Sequence, residues 1–188
     1  MTLLVTGLLL FFVAHLLPMA PASRARLHAK LGEGRYKGLY SVISGIGLIL
    51  IIAGYAVAER GAQWFAPFAQ ASAAAPYAMT LVFILLAASH GPSHIRAVIR
   101  HPMLVGVLIW SIVHLLANGD ARGTVLFASF AVYAVIDLAS VTLRRTFIPF
   151  VPRWRSDVIA IVAGAAVALT VMFLHRFLFG VRTVPFGI

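Results

Sequence analysis

A chain of 188 residues that is 62% hydrophobic and only 11% charged is not a water-soluble globular domain, in which apolar residues make up about half and charged ones about a quarter. Its 15 Lys and Arg against 5 Asp and Glu give a formal charge of +10. The basic residues stand in short clusters between apolar runs, which suits anionic lipid headgroups and excludes a nucleic-acid reader. With no cysteine, disulfides, thiolate metal sites and thiol nucleophiles are excluded too.

Six apolar runs are long enough to cross about 30 Å of hydrocarbon as helices of roughly 17 to 25 residues. They cover approximately 2–20, 38–58, 74–92, 102–118, 122–143 and 157–179. Lipid offers no partner to backbone N–H and C=O groups, so runs of this kind must be helical. The expected fold is all-α, a polytopic membrane helix bundle of six transmembrane helices, forming one transmembrane domain over 1–188 in contact with membrane lipid. The first run has no basic residue before it and is followed by Arg24, Arg26 and Lys30. A secretory signal has the opposite polarity, so this run reads as a retained span ended by Pro18 and Pro21. Between the second and third runs, GAQWFAPFAQASAAAP carries Trp64, Phe65 and Phe68, residues suited to the headgroup boundary.

The loops set the orientation. Those after the first, third and fifth runs hold Arg24, Arg26, Lys30, Arg35, Lys37, Arg96, Arg100, Arg144, Arg145, Arg153 and Arg155. The other side holds Arg60, Arg122, Arg176 and Arg182. This bias puts the odd-numbered loops in the cytoplasm and both termini outside.

Seven histidines remain to be placed. His28 is expected to be solvated or near lipid phosphates in the first basic loop, and His175 to be interfacial beside Arg176. His94 and His101 flank a short cytoplasmic turn, while His15, His90 and His114 fall within or near the ends of apolar runs. A neutral imidazole is a common metal ligand and a proton shuttle; it also serves simply to bond a carbonyl on a neighbouring helix. In the fourth run, Gly106, Trp110, His114 and Asn118 recur every four residues and share one face. That face belongs against protein, a cavity or a cofactor. Phe11, Phe12 and His15 form a similar face on the first run. A flat aromatic ligand between two imidazoles, such as haem, suits such faces. Asp137 is the one acid inside an apolar run. It is expected to face inward and pair with a histidine or Arg144, either orienting a ligating ring or making a structural interhelical pair. Pro102, after Arg100 and His101, marks a helix start.

Three segments, FFVAHLLPMAPASRARL, LGEGRYKGLYSVIS and IRHPMLVGVLIWSIVHLLANGD, together resemble the NnrU family of bacterial inner-membrane proteins over nearly the whole chain. That family is named for its association with nitrite and nitric oxide reductase expression in denitrifiers. It is related to the plastid zeta-carotene isomerase, a membrane haem b enzyme that isomerises a central cis double bond. The resemblance implies an inner-membrane protein with periplasmic termini and haem b held by His15 and His114. His101, as the histidine of RHP, would lie near the cofactor along with Trp110, Asn118 and Asp137. It also implies isomerase-like or redox and nitric-oxide-related chemistry, with a long apolar molecule such as a polyene as substrate. The alternative is a non-enzymatic component supporting reductase expression without a cofactor. The isomerase carries a cysteine three residues before its second ligand, where this chain has Ser111, so a thiolate ligand switch is unavailable to it. At 1.5 Å per residue, His15 stands about 8 Å from the cytoplasmic end of its span and His114 about 20 Å beyond His101. One iron requires a common depth. Helix tilt, a shifted end near Pro18 or a re-entrant segment closes that gap; otherwise His90, His94 or His101 enters the ligand pair. The RHP motif also occurs in isoprenylcysteine-type methyltransferases, but their paired acids are missing here.

The orientation is checked with reporter fusions at Lys30 and at the C-terminus, which should report opposite sides. The same side for both would mean an odd number of spans is missing or surplus.

Overall fold

The computed structural model describes residues 1–181 and is helical almost throughout. Arg182 and the C-terminal end, used in the orientation argument, lie outside the described residues. The helices are α1 (Thr2–Leu16), α2 (Pro21–Val57), α3 (Ala69–Ala88), α4 (His94–Ile99), α5 (Pro102–Asn118), α6 (Ala121–Leu143) and α7 (Trp154–Phe179), with a 3₁₀ turn at Leu17–Met19. The expected all-α character holds: among the described residues the extended pairing is one isolated bridge, Gln63 with Asp120. Five helices are long and apolar enough to cross a membrane, and α5 is an apolar helix of 17 residues. Each of the six apolar runs is therefore a helix, and the chain is a helical membrane protein.

Local chemistry sets the helix ends. Proline stands in the first turn of α2 and of α5, where its missing N–H costs nothing. Ser93 caps α4 by accepting from the Arg96 N–H at 3.1 Å, and Asp120 does the same for Gly123 at 2.7 Å at the start of α6, each satisfying an otherwise orphaned donor.

One segment differs from its expected form. The first basic loop is helical: α2 begins at Pro21 and is broken only at Gly32, whose φ of 73° and ψ of 163° suit glycine alone. Leu27, His28 and Leu31 are half-buried while Arg24, Arg26 and Lys30 are exposed. That spacing gives the short helix an apolar side. His28 is therefore not a solvated loop residue. Its ring lies 4.1 Å from that of Tyr36, and its Nε2 is buried without a hydrogen-bond partner.

The helices group into two compact units. The first comprises Met1–Trp64 and Asp120–Ser129. Within it α1 and α2 run antiparallel in close contact, because Gly7, Gly47 and Gly54 let the backbones approach. A Cβ on Gly7 would meet the Ile51 N at 2.6 Å, and one on Gly47 the Phe11 N at 2.7 Å. Close approach over small residues is how membrane helices gain packing energy that hydrophobicity cannot supply in lipid. Arg122 closes the unit: its Nη1 donates to the Tyr55 and Ala58 carbonyls at 2.8 and 2.9 Å, while the guanidinium lies 4.3 Å over the Tyr55 ring. A cation there satisfies the last carbonyls of α2 and favours its negative end.

The second unit comprises residues 65–119 and the described residues from 130 onward. Here α3 packs against both α5 and α7, and α4 touches α3, α5 and α7. Gly106 of α5 is buried against Val82 and Leu85, and Gly164 of α7 presses on Ile84, where a Cβ would come within 2.6 Å of backbone nitrogen.

Glycines of α2 give a paired test. Gly47→Ala should destabilise by about 1–3 kcal/mol through overpacking. Gly45→Ala, with open space around its Cβ, should be neutral or stabilising because alanine is the better helix former. Unfolding midpoints of the two variants in detergent check this; equal midpoints would contradict the close contact.

Candidate cofactor-binding site

His15 lies in the first unit, in the last turn of α1. Its Nδ1 is 2.8 Å from the Phe11 carbonyl oxygen. A carbonyl only accepts, so Nδ1 carries a proton; in the neutral tautomer the lone pair would lie on Nε2. The ring stacks on Phe11 at 3.9 Å and 20° and lies 5.4 Å from the Tyr40 ring. Phe12 meets Phe11 edge-on at 5.6 Å. The α1–α2 register, with residue 7 at 51 and residue 11 at 47, carries His15 to about residue 43. That is roughly 9 Å along the helix from Lys37. α1 ends one residue after His15, at Leu16, ahead of Pro18.

His114 lies in the second unit, on α5, and repeats the arrangement. Its Nδ1 donates to the Trp110 carbonyl at 2.9 Å, which in the neutral tautomer would again leave the lone pair on Nε2. The indole of Trp110 is 5.5 Å from the imidazole and meets Phe130 edge-on at 5.4 Å. Asn118 extends the ladder by donating from Nδ2 to the His114 carbonyl at 2.6 Å. Gly106, at the other end of the stripe, is buried; Trp110, His114 and Asn118 are half-buried. Ser111 is fully buried and donates to the Leu108 carbonyl at 2.9 Å.

His101 immediately precedes α5 without a capping bond from its side chain, and its ring lies 6.4 Å from Phe147. Burial pulls this imidazole below its ordinary value, while the Asp137 carboxylate pulls it upward and Arg100 and Arg96 push it down. Asp137 differs from expectation. Its carboxylate accepts from the Tyr133 hydroxyl at 3.0 Å, a partner one turn back on its own helix rather than a histidine or Arg144. The Arg144 Nε donates instead to the Ser140 Oγ at 3.1 Å. Both bonds are of the i, i+4 kind, which a helix provides without cost to its neighbours.

Sequence reading missed a third imidazole arrangement. Asp157, in the first turn of α7, is buried and accepts from His94 Nδ1 at 2.7 Å and from the Ile95 N–H at 3.1 Å. The His94 ring lies 4.3 Å from Trp154. The partners are 63 residues apart, and no local pattern announces such a pair.

Among the described residues no group of three or more His, Cys, Asp and Glu is placed to hold a metal ion. A haem needs only axial nitrogens, because its macrocycle supplies the remaining donors. His15 in one unit and His114 in the other each have Nδ1 on the carbonyl four residues back and lie beside aromatic rings.

Apolar helices with imidazoles turned back on their own backbones define a helical membrane protein. Residues 3–183 match the model of the family described as NnrU protein, and the chain belongs to that family. No curated protein and no solved structure matches it.

The opposing influences on His101 yield a titration test. With the Asp137 charge removed, only the downward influences remain, so Asp137→Asn should lower the midpoint further. Ring NMR signals of labelled histidine followed against pH check this; an unchanged midpoint would separate the two residues electrostatically.

Proposed function

We propose that this NnrU protein is a haem b protein of the bacterial inner membrane with six spans and periplasmic termini. His15 and His114 are its axial ligands, and Trp110, Asn118, His101 and Asp137 are the surrounding groups. The single observation that carries this reading is the shared state of the two rings. Each Nδ1 hydrogen is committed to the carbonyl four residues back, which fixes the tautomer and the ring plane of a ligating imidazole. The aromatic neighbours on each helix supply the flat apolar walls that a macrocycle requires. A bound haem b would supply an iron that changes oxidation state under the control of its axial ligands and pocket polarity.

The protein residues have modest, definite tasks in this reading. His15 and His114 bind; the Phe11 and Trp110 carbonyls hold the rings in orientation; Asn118 stiffens the turn that bears His114. Ser111, tied to its own helix, offers no thiolate, so ligand exchange of the cysteine type is absent. The substrate class that suits an active site in the hydrocarbon is a long apolar molecule such as a polyene, with isomerase-like chemistry. A redox or nitric-oxide response linked to denitrification uses the same ligands.

Visible spectra of detergent-purified protein, oxidised and reduced, test the proposal. A bis-imidazole haem should be six-coordinate and low-spin. His15→Ala or His114→Ala should lose the haem or leave it five-coordinate, whereas His175→Ala should leave the spectrum unchanged. If His101→Ala abolishes the spectrum and His114→Ala does not, the ligand assignment is wrong. If the wild-type protein carries no chromophore when expressed with ample haem, the non-enzymatic role in supporting reductase expression takes its place.

A further inference from the structure

A groove of about 220 Å³ runs between α3 and α7 in the second unit. Phe83, Leu86, Ala87, Ala163, Gly164 and Val167 form its walls, and His90 is the polar residue at its end. Ala163 and Val167 are exposed, so the groove opens on the outer surface of the helices. It exists because Gly164 has no side chain and brings α7 onto the Ile84 backbone, leaving a furrow beside the crossing.

The polar end of this furrow is basic. The Arg153 backbone N–H bonds the Pro92 carbonyl at 2.8 Å, and Gly91 lies against Ser156. These contacts put residues 153–156 at the level of His90, where α3 ends and α7 begins. Arg153 and Arg155 are both exposed there. The nearby acid makes no ion pair with either: Asp157 is buried, and its two oxygens accept from His94 and the Ile95 N–H. A hydrocarbon furrow in a membrane helix pair, terminated by two outward arginines and an imidazole, has the polarity of one lipid molecule.

We propose that the α3–α7 groove is a specific site for an anionic phospholipid, one acyl chain lying against Ala163, Gly164 and Val167 and the phosphate held by Arg153 and Arg155. The charge complementarity selects the headgroup. Zwitterionic lipids present the same chains but a compensating cation beside the phosphate, so they gain little from the two arginines. Each basic residue near an anionic surface is worth about 1 kcal/mol. Two together therefore correspond to a preference of roughly 20- to 30-fold. The inference depends on the chain being a membrane protein and is independent of haem.

The test uses the full-length protein, purified, stripped of lipid in neutral detergent and titrated with phosphatidylglycerol or phosphatidylcholine in mixed micelles. Native mass spectrometry counts bound lipid, and circular dichroism verifies the helices. Wild-type protein should retain one phosphatidylglycerol at concentrations where phosphatidylcholine does not bind. Arg153→Gln combined with Arg155→Gln should weaken that binding roughly 20- to 30-fold. Ala163→Trp, which fills the exposed furrow without touching a charge, should abolish it. Arg24→Gln with Arg26→Gln, an equal loss of charge in the first unit, should leave it intact. Four results overturn the site: equal retention of both lipids, unchanged binding in the Arg153 and Arg155 double variant, unchanged binding in Ala163→Trp, or an equal loss in the Arg24 and Arg26 control. Displacement of the bound lipid by soluble glycerol phosphate alone would also overturn it, because the chain would then contribute nothing.

Discussion

Hydrocarbon offers no hydrogen bonds, and many polar side chains of the apolar helices are arranged under that constraint. The backbone answers by being helical wherever the sequence is apolar. The side chains answer in the same way, by returning to the helix they belong to. His15 bonds the Phe11 carbonyl, Thr80 that of Pro76, Ser89 that of Leu86, Ser111 that of Leu108, His114 that of Trp110, Asn118 that of His114, Ser129 that of Val125 and Thr170 that of Ala166. Polar residues in membrane helices are often pictured as glue between helices. Here the close helix contacts are made instead by Gly7, Gly47 and Gly54 in one unit and by Gly106 and Gly164 in the other.

That division of labour explains what the sequence revealed. Helix existence was legible because an apolar run of sufficient length has one solution in lipid. Helix ends at Pro102 and Asn118 were legible because proline and Gly119 punctuate them locally. The helical character of residues 21–31 was not. Its apolar side consists of Leu27 and Leu31 with His28 between them, a short pattern that is outweighed by Arg24, Arg26 and Lys30. Only Gly32, with the φ of 73° that interrupts α2, marks the break, and a glycine among fifteen gives no such notice from sequence.

The same reasoning accounts for the candidate site. Face periodicity correctly joined Trp110, His114 and Asn118, since residues four apart on a helix are neighbours whatever the tertiary structure. Partners across the chain were beyond its reach. Asp137 was expected to find a histidine or Arg144 and bonds Tyr133 one turn away. Asp157 drew no attention because it sits at the end of an apolar run, where an acid looks solvated. In the folded chain it is buried and joins the start of α7 to α4 through His94. Arg122 likewise looked like an ordinary outer-loop cation, and instead closes the last turn of α2.

His15, His114 and His94 are held at Nδ1 by different acceptors. Within the spans His15 and His114 use the carbonyls four residues back on their own helices. At the helix ends, His94 has a carboxylate, since the first turn of α7 favours the Asp157 charge through its exposed N–H groups. A carbonyl orients the ring while leaving it close to neutral in character; a carboxylate also stabilises the protonated ring. The half-buried rings of His15 and His114 are each held in orientation by the helix that bears them. The His94 ring instead ties α4 to the first turn of α7. The hydrophobic run that makes a helix inevitable therefore also supplies the acceptors that hold the histidines within it.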